Sequence, residues 1–231
     1  MILITSYYLS DNNDRQKEIN QCLINNANNK FIKNIILLND KIYDISFIIR
    51  NKKKVKQIIV KNKENQKNNK LYFNNAIDYI NKNYLDETII LSNSDIYFDN
   101  TLSFIKNEEL ENKVFCLLRY DQKKDGTKDI FRHYEEPRSD SQDSWIFNSP
   151  LNIDLEQINF SFGTLGCDNI FANVLFNHDY LLSNPSYDII TTHLHNCDER
   201  NYNENDRIHG NYCLIKPSYI NIEPDIRFMN Y

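Results

Sequence analysis

The feature that most constrains this chain is a succession of short apolar runs that alternate with helical periodicities. Met1 to Tyr7 reads as a first strand. Arg15 to Asn29 follows, with Ile19, Cys22, Leu23 and Ala27 at helical spacing. Ile35 to Leu38 and Lys56 to Val60 are strand-like. Leu71 to Tyr84 is helical, with Leu71, Ala76, Ile77 and Ile80 on its inner side. Strands are expected at Glu87 to Leu91 and Val114 to Leu118, a helix over Asp168 to Asn177, and a strand at Asp188 to Thr192. Strand and helix in alternation predict an α/β fold: a mixed, mostly parallel sheet with helices on both faces. No linker or internal repeat divides the sequence, so residues 1–231 are expected to form one domain. A nucleotide-binding half of about 1–120 and an acceptor-side half of about 121–231 are expected within it.

In such sheets ligands bind beyond the carboxyl ends of the strands. Two strand ends are conspicuously polar: Thr5-Ser6-Tyr7-Tyr8 and Ser92-Asn93-Ser94-Asp95. Asp95 offers carboxylate oxygen to a hard cation such as Mg²⁺ or Mn²⁺. Asn93 lies two residues earlier on the same face of an extended segment, within reach of a ribose or a metal-bound water. The bland alternative is a turn, with Asp99 capping a helix that starts near Thr101. Further on, His193 and His195 alternate along a strand-like segment and share a face that could complete a cation site. Arg200 and Tyr202 follow closely, and the planar fork of an arginine suits diphosphate oxygens.

Asp168 sits just before an apolar helical pattern. It is a helix cap on the ordinary reading, or a general base toward an acceptor hydroxyl on the functional one. Asp143 precedes a short apolar strand, and Trp145 either stacks on a sugar or fills the core. Arg119 and Asp121 follow the strand ending at Leu118; they either meet the donor or pair with each other.

Composition narrows the classes. A net charge of −5 provides no general attraction for nucleic acid or an anionic membrane. No apolar run approaches the roughly 20 residues needed to span a bilayer, and the N-terminus reads as a buried strand rather than a signal peptide. The five cysteines are scattered and contain no Cys-x-x-Cys pair, as expected of reduced thiols in a cytoplasmic setting. P-loop, Gly-x-Gly-x-x-Gly, Gly-x-Ser-x-Gly and His-Glu-x-x-His motifs are all missing.

The order of the motifs resembles that of GT-A-fold glycosyltransferases, and is similar to the small ones of large DNA viruses. The pieces are Ile-Leu-Ser-Asn-Ser-Asp-Ile-Tyr-Phe-Asp at 90–99, which looks like the family's Asp-x-Asp region, and Leu-Leu-Arg-Tyr-Asp at 117–121. Ser-Gln-Asp-Ser-Trp-Ile-Phe at 141–147, Gly-Cys-Asp-Asn at 166–169, Asn-Pro-Ser at 184–186 and His-Leu-His-Asn at 193–196 follow. The resemblance implies a nucleotide-sugar donor (UDP-, GDP- or dTDP-linked), a glycan acceptor and a divalent cation, Mn²⁺ or Mg²⁺. It implies a cation on Asp95 with His193 or His195, and an acceptor-activating Asp168, with Asp143 as the other candidate. Thr5, Ser6, Tyr7, Asn93, Ser94, Arg119, Asp121 and Arg200 are the expected donor contacts, and Trp145 the acceptor contact. Asn93 stands where a strict Asp-x-Asp has its first carboxylate. A viral member would act in the host cytoplasm. The rival readings are a metal-dependent phosphodiesterase or nuclease, and a non-catalytic nucleotide-sugar binding module.

Overall fold

A computed structural model describes residues 1–61, 66, 70–195, 197 and 204–231, except for the side chain of Glu108. In chain order its strands and helices begin with β1 (Ile2–Thr5), α1 (Asn13–Asn28), β2 (Asn34–Asn39), β3 (Val55–Ile59), α2 (Phe73–Asn83), β4 (Thr88–Ser92) and β5 (Ile96–Phe98). There follow β6 (Lys113–Leu117), β7 (Tyr120–Gln122), β8 (Lys128–Ile130), β9 (Arg132–His133), β10 (Glu136–Pro137) and β11 (Ser144–Asn148). The last are α3 (Cys167–Asn177), β12 (Leu181–Ser183), β13 (Thr191–His193), β14 (Asn211–Ile215) and β15 (Ile226–Asn230).

The main sheet runs β12-β6-β11-β4-β1-β2-β3. β3, β2, β1 and β4 are mutually parallel, as are β6 and β12, while β11 inserts antiparallel between β4 and β6. Helices cover both faces. Ile19, Leu23 and Ala27 of α1 join Leu3, Ile35, Leu37, Ile90 and Phe115 on one side. Phe73, Ile77 and Ile80 of α2, with Phe171 and Leu175 of α3, join Ile4, Ile36, Ile89 and Phe147 on the other. Residues sealed on both sides explain why these strands read as continuous apolar runs rather than alternating ones.

A second sheet, β5-β13-β7-β8, stands beyond the carboxyl end of β4. Asn26 of α1 and Asn29, which caps its C-terminus, hold its edge. Asn26 donates through Nδ2 to the Ile96 carbonyl at 2.8 Å and accepts from the Phe98 N–H at 3.0 Å; Asn29 donates to the carbonyls of Phe98 and Asp99. The Asn26 side-chain amide thus does for β5 what a neighbouring strand would do, satisfying buried backbone groups that would otherwise be costly.

The expected elements all form, with one adjustment. The strand expected over Asp188 to Thr192 is confined to Thr191–His193. Asp188 and Ile189 instead donate their N–H groups back to the Pro185 carbonyl in a turn. The β14–β15 hairpin and the small sheet were not anticipated.

Candidate functional site

The turn between β4 and β5 carries Asn93, Ser94 and Asp95, and the register of the small sheet decides what faces them. β13 pairs antiparallel with β5, setting His193 opposite Ile96, and parallel with β7, setting His193 beside Asp121. His193 is therefore held between Asp95 and Asp121. Its Nε2 lies 3.1 Å from Asp95 Oδ2 and its Nδ1 2.9 Å from Asp121 Oδ1. The His195 ring lies 5.3 Å from that of His193, centroid to centroid. One ligand atom each from Asp95, His193 and His195 falls within 4.8 Å of the other two.

Charge alternates through this cluster. Arg15, at the start of α1, bonds Asp95 Oδ2 through Nη2, and reaches Glu18 (3.3 Å) and the Leu194 carbonyl (3.0 Å) through Nη1. Arg119 bonds Asp121 through Nε at 2.9 Å and Asp143 through Nη1 at 3.2 Å, with its guanidinium 3.9 Å from the Phe131 ring centroid. Asp143 in turn accepts from Asn93 Nδ2 at 2.9 Å. Burial disfavours the Asp95 carboxylate, but His193 and Arg15 outweigh it and hold its pKa well below the usual range. Burial likewise opposes a charge on His193, yet Asp95 and Asp121 push its pKa up to about 9.

Asp168 is different. It lies in the first turn of α3, whose N-cap position is Gly166 with φ +82°, so it does not cap the helix itself. Its oxygens accept from the Gln142 N–H at 2.9 Å and from Asn169 Nδ2 at 3.2 Å. No cationic side chain bonds it among the described residues. Burial pushes its pKa up to about 7 despite the Gln142 N–H, and the nearby Asp143 charge adds to the rise.

The carboxylates, arginines and histidines of these clusters, Glu18 apart, line one open cleft of about 1330 Å³ at the carboxyl ends of the parallel strands. Ser6, Tyr7, Asn93, Ser94, Asp95, Arg119, Asp121, Asp143, Asp168, His193 and His195 are brought together along it. Thr5 does not. It is buried in β1 and is not among the lining residues. Trp145 borders the cleft but presents almost no surface to it for stacking on a sugar. Only 1% of its surface is exposed, and Phe73, Phe162 and Phe171 enclose its ring edge-to-face. It is core, because it lies on the face of β11 that α2 and α3 cover. Arg200 and Tyr202 lie outside the described residues.

Three contributors escaped sequence reasoning. Arg15 looks like an ordinary polar helix residue until α1 is docked. Asn39 ends β2 and accepts the Tyr7 N–H at 2.8 Å. Tyr43 packs its ring 5.5 Å from that of Tyr7, so the two build an aromatic wall at the β1–β2 end of the cleft. The position of Asn39 at a strand's carboxyl end was the available signal. No helix of the described residues is long and apolar enough to cross a membrane.

No family model and no curated protein matches the sequence. Among solved structures, the chain is similar to S. aureus TarS 1-349, crystallised in complex with UDP-GlcNAc. The TM-score is 0.54 and the identity 13%, over 86% of this chain and 59% of that one. HddC from Yersinia pseudotuberculosis overlaps at 16% identity over 70% of this chain and 82% of its own, with a TM-score of 0.35. The chain thus spans somewhat less than two thirds of the TarS fragment. At 13% identity the likeness to TarS is one of architecture, and that architecture is the mixed, mostly parallel α/β arrangement of a GT-A-like fold.

Proposed function

We propose that the protein is a glycosyltransferase that moves a sugar from a nucleoside-diphosphate donor to a hydroxyl acceptor with the help of a divalent cation. The observation that carries this reading is the division of the cleft. A ligand cluster of Asp95, His193 and His195 lies along it with a carboxyl group, Asp168, whose pKa stands near 7. The fold's likeness to a protein crystallised with UDP-GlcNAc supports the donor class.

The residues fit a cation. Two ligand atoms each about 2.1 Å from a metal and at right angles lie about 3 Å apart, which matches the 3.1 Å between Asp95 Oδ2 and His193 Nε2. The bond from His193 Nδ1 to Asp121 is the outer-shell contact that fixes a ligating imidazole's tautomer and orientation. Mn²⁺ and Mg²⁺ both accept carboxylate and diphosphate oxygens, and imidazole ligands tilt the set toward Mn²⁺. A cation bound there supplies Lewis-acid stabilisation of the leaving diphosphate.

The chain's own residues do the rest. Ser6, Tyr7, Tyr43 and Asn39 form the end that receives base and ribose. Asn93, tied to Asp143, positions the donor beside Asp95. Arg119, committed to Asp121 and Asp143, orders both carboxylates, so Asp143 acts as a positioning residue. Asp168 takes the proton from the acceptor hydroxyl, a role suited to a carboxylate with a pKa near the working pH. That assignment makes the reaction inverting.

A phosphodiesterase or nuclease of the two-metal kind needs more carboxylates around its cations; the candidate ligand group among the described residues has one. The test is nucleoside-diphosphate release from UDP-, GDP- and dTDP-sugars with Mn²⁺ or Mg²⁺, for the native protein and Asp95→Ala. Release from one donor class, abolished by EDTA and by the substitution, is expected. Full turnover in both the chelated and the substituted samples would sink the proposal, and binding without turnover on any acceptor would leave a binding module.

A further inference from the structure

Among the described residues, Arg15 is the one group in the cleft bonded directly to a proposed cation ligand while carrying a fixed positive charge of its own. Its side chain is 9% exposed, and its two terminal nitrogens do different work. Nη1 is an anchor: it donates to Glu18 Oε2 at 3.3 Å and to the Leu194 carbonyl, the residue between the two histidines, at 3.0 Å. Nη2 has Asp95 Oδ2 as its partner. That same oxygen lies 3.1 Å from His193 Nε2. An ionised carboxylate oxygen offers about two lone-pair directions, so Oδ2 is fully engaged by Arg15 and by the His193 Nε2–H, whose proton is released to solvent when a metal takes that nitrogen.

We infer that Arg15 sets the cation affinity of this site: Nη2 holds Asp95 when the site is empty, and a divalent ion must displace it from Oδ2 to bind between Asp95 and His193. This rests on the reading of Asp95 and His193 as metal ligands. Two features make Arg15 a displaceable holder rather than a fixed block. Loss of the Asp95 bond leaves Nη1 anchored, so the side chain need not leave its place, and Glu18 already stands beside it as an alternative carboxylate. The guanidinium also repels a divalent cation across a few ångströms of partly enclosed space, where charges interact more strongly than in bulk water. The site is therefore weak for the cation alone and needs the negative charge of a diphosphate to fill well.

The test is Mn²⁺ titration of the full chain without nucleotide, with free Mn²⁺ read by electron paramagnetic resonance. Arg15→Gln keeps a hydrogen-bond donor but removes the charge, and is expected to bind Mn²⁺ roughly tenfold more tightly. Arg15→Lys keeps the charge and is expected to stay within about threefold of the native protein. Glu18→Gln gives a second test that does not depend on the Arg15 variants folding. It leaves Arg15 with Asp95 as its remaining carboxylate and is expected to weaken Mn²⁺ binding by about threefold or more. Native-like or weaker binding by Arg15→Gln overturns the inference, as does equal tightening by Arg15→Lys, or unchanged or tighter binding by Glu18→Gln. Absence of Mn²⁺ binding by the native protein and by Arg15→Gln alike would instead remove the metal site on which the inference rests.

Discussion

Asp168, the proposed base, is held by burial in a state that would suit proton transfer at a cost to the fold. Its carboxyl has a pKa near 7 instead of 3.8, chiefly through burial. Between about pH 4 and 7 the folded state therefore binds more protons than the unfolded one. Stability falls as pH rises through that window, and the loss is complete above pH 7. Three pKa units correspond to at most about 4 kcal/mol, less to the extent that the open cleft lets water reach the group. Asp168→Asn removes the ionisation. At pH 8 the variant is expected to melt above the native protein, with the difference vanishing near pH 4. Its turnover should fall about 10²- to 10⁴-fold with donor KM little changed. The native rate should rise with pH around a midpoint near 7. Lower stability of the variant at pH 8, or retained turnover, would assign Asp168 to structure alone.

At the scale of elements, Asp168 depends on the entry into α3. Gly166 adopts φ +82°, where a β-carbon would fall 1.8 Å from the hydroxyl oxygen of Tyr212, a side chain of β14 bonded to the Ile208 carbonyl at 2.6 Å. Gly166→Ala is expected to cost about 2 kcal/mol or more, from the left-handed backbone and the clash together. Because it shifts the first turn of α3, it should lower turnover as well, whereas Asp168→Asn lowers turnover without loss of stability at pH 8. Denaturant unfolding paired with a rate assay separates the two, and a native-like unfolding midpoint for Gly166→Ala would refute this account of the turn. The same elements mark what was legible beforehand. β1, α1, β2, α2, β4, β6 and α3 are long or strongly patterned, and each shows in its apolar spacing. β5 and β7 are three residues apiece and exist through pairing with distant segments, so no local period reveals them, and β13, expected as a strand, begins three residues later than its apolar run because a turn at Pro185 claims Asp188 and Ile189. The insertion of β11 between β4 and β6 is invisible for a related reason: a fully buried strand reads alike whichever neighbours it takes. Asp95 and His193 could be singled out as residues, but their meeting depends on the register of β13 against β5 and β7. Arg15 lies 80 positions from Asp95 and 179 from Leu194, and nothing around it in sequence distinguishes it from Lys17. Asn26 was obscured by composition, since asparagine is so abundant here that its role as a surrogate strand partner carries no local signal.

Across the whole molecule, the cleft brings together groups from the main sheet, the small sheet and α3. The Tyr7–Tyr43 wall stands at the β1–β2 end, Asp95 and the histidines at the β4–β5 turn and the end of β13, and Asp168 in α3. On the proposed function, a nucleoside diphosphate laid along the cleft would touch the first two regions at once, with its phosphates at the Asp95–His193 cluster. That reading predicts cooperative binding of cation and nucleotide, because each supplies charge or ligands that the other lacks. Thermodynamic linkage requires the coupling to be reciprocal: Mn²⁺ must raise affinity for the diphosphate by the factor by which the diphosphate raises affinity for Mn²⁺. A coupling of 1–3 kcal/mol, or about 5- to 150-fold, is the expected range. Calorimetric titrations run in both orders measure it, and thermal melting gives an independent check. Mn²⁺ and diphosphate together should raise the melting temperature by more than the sum of their separate effects, since each ligand binds the native state more tightly when the other is present. Asp95→Ala should abolish the synergy while leaving a residual response to nucleotide alone, because the aromatic wall lies outside the cation cluster. Strictly additive shifts in the native protein would mean that the two ligands do not meet in this cleft, and would separate the base-binding end from the Asp95–His193 cluster as sites of different function.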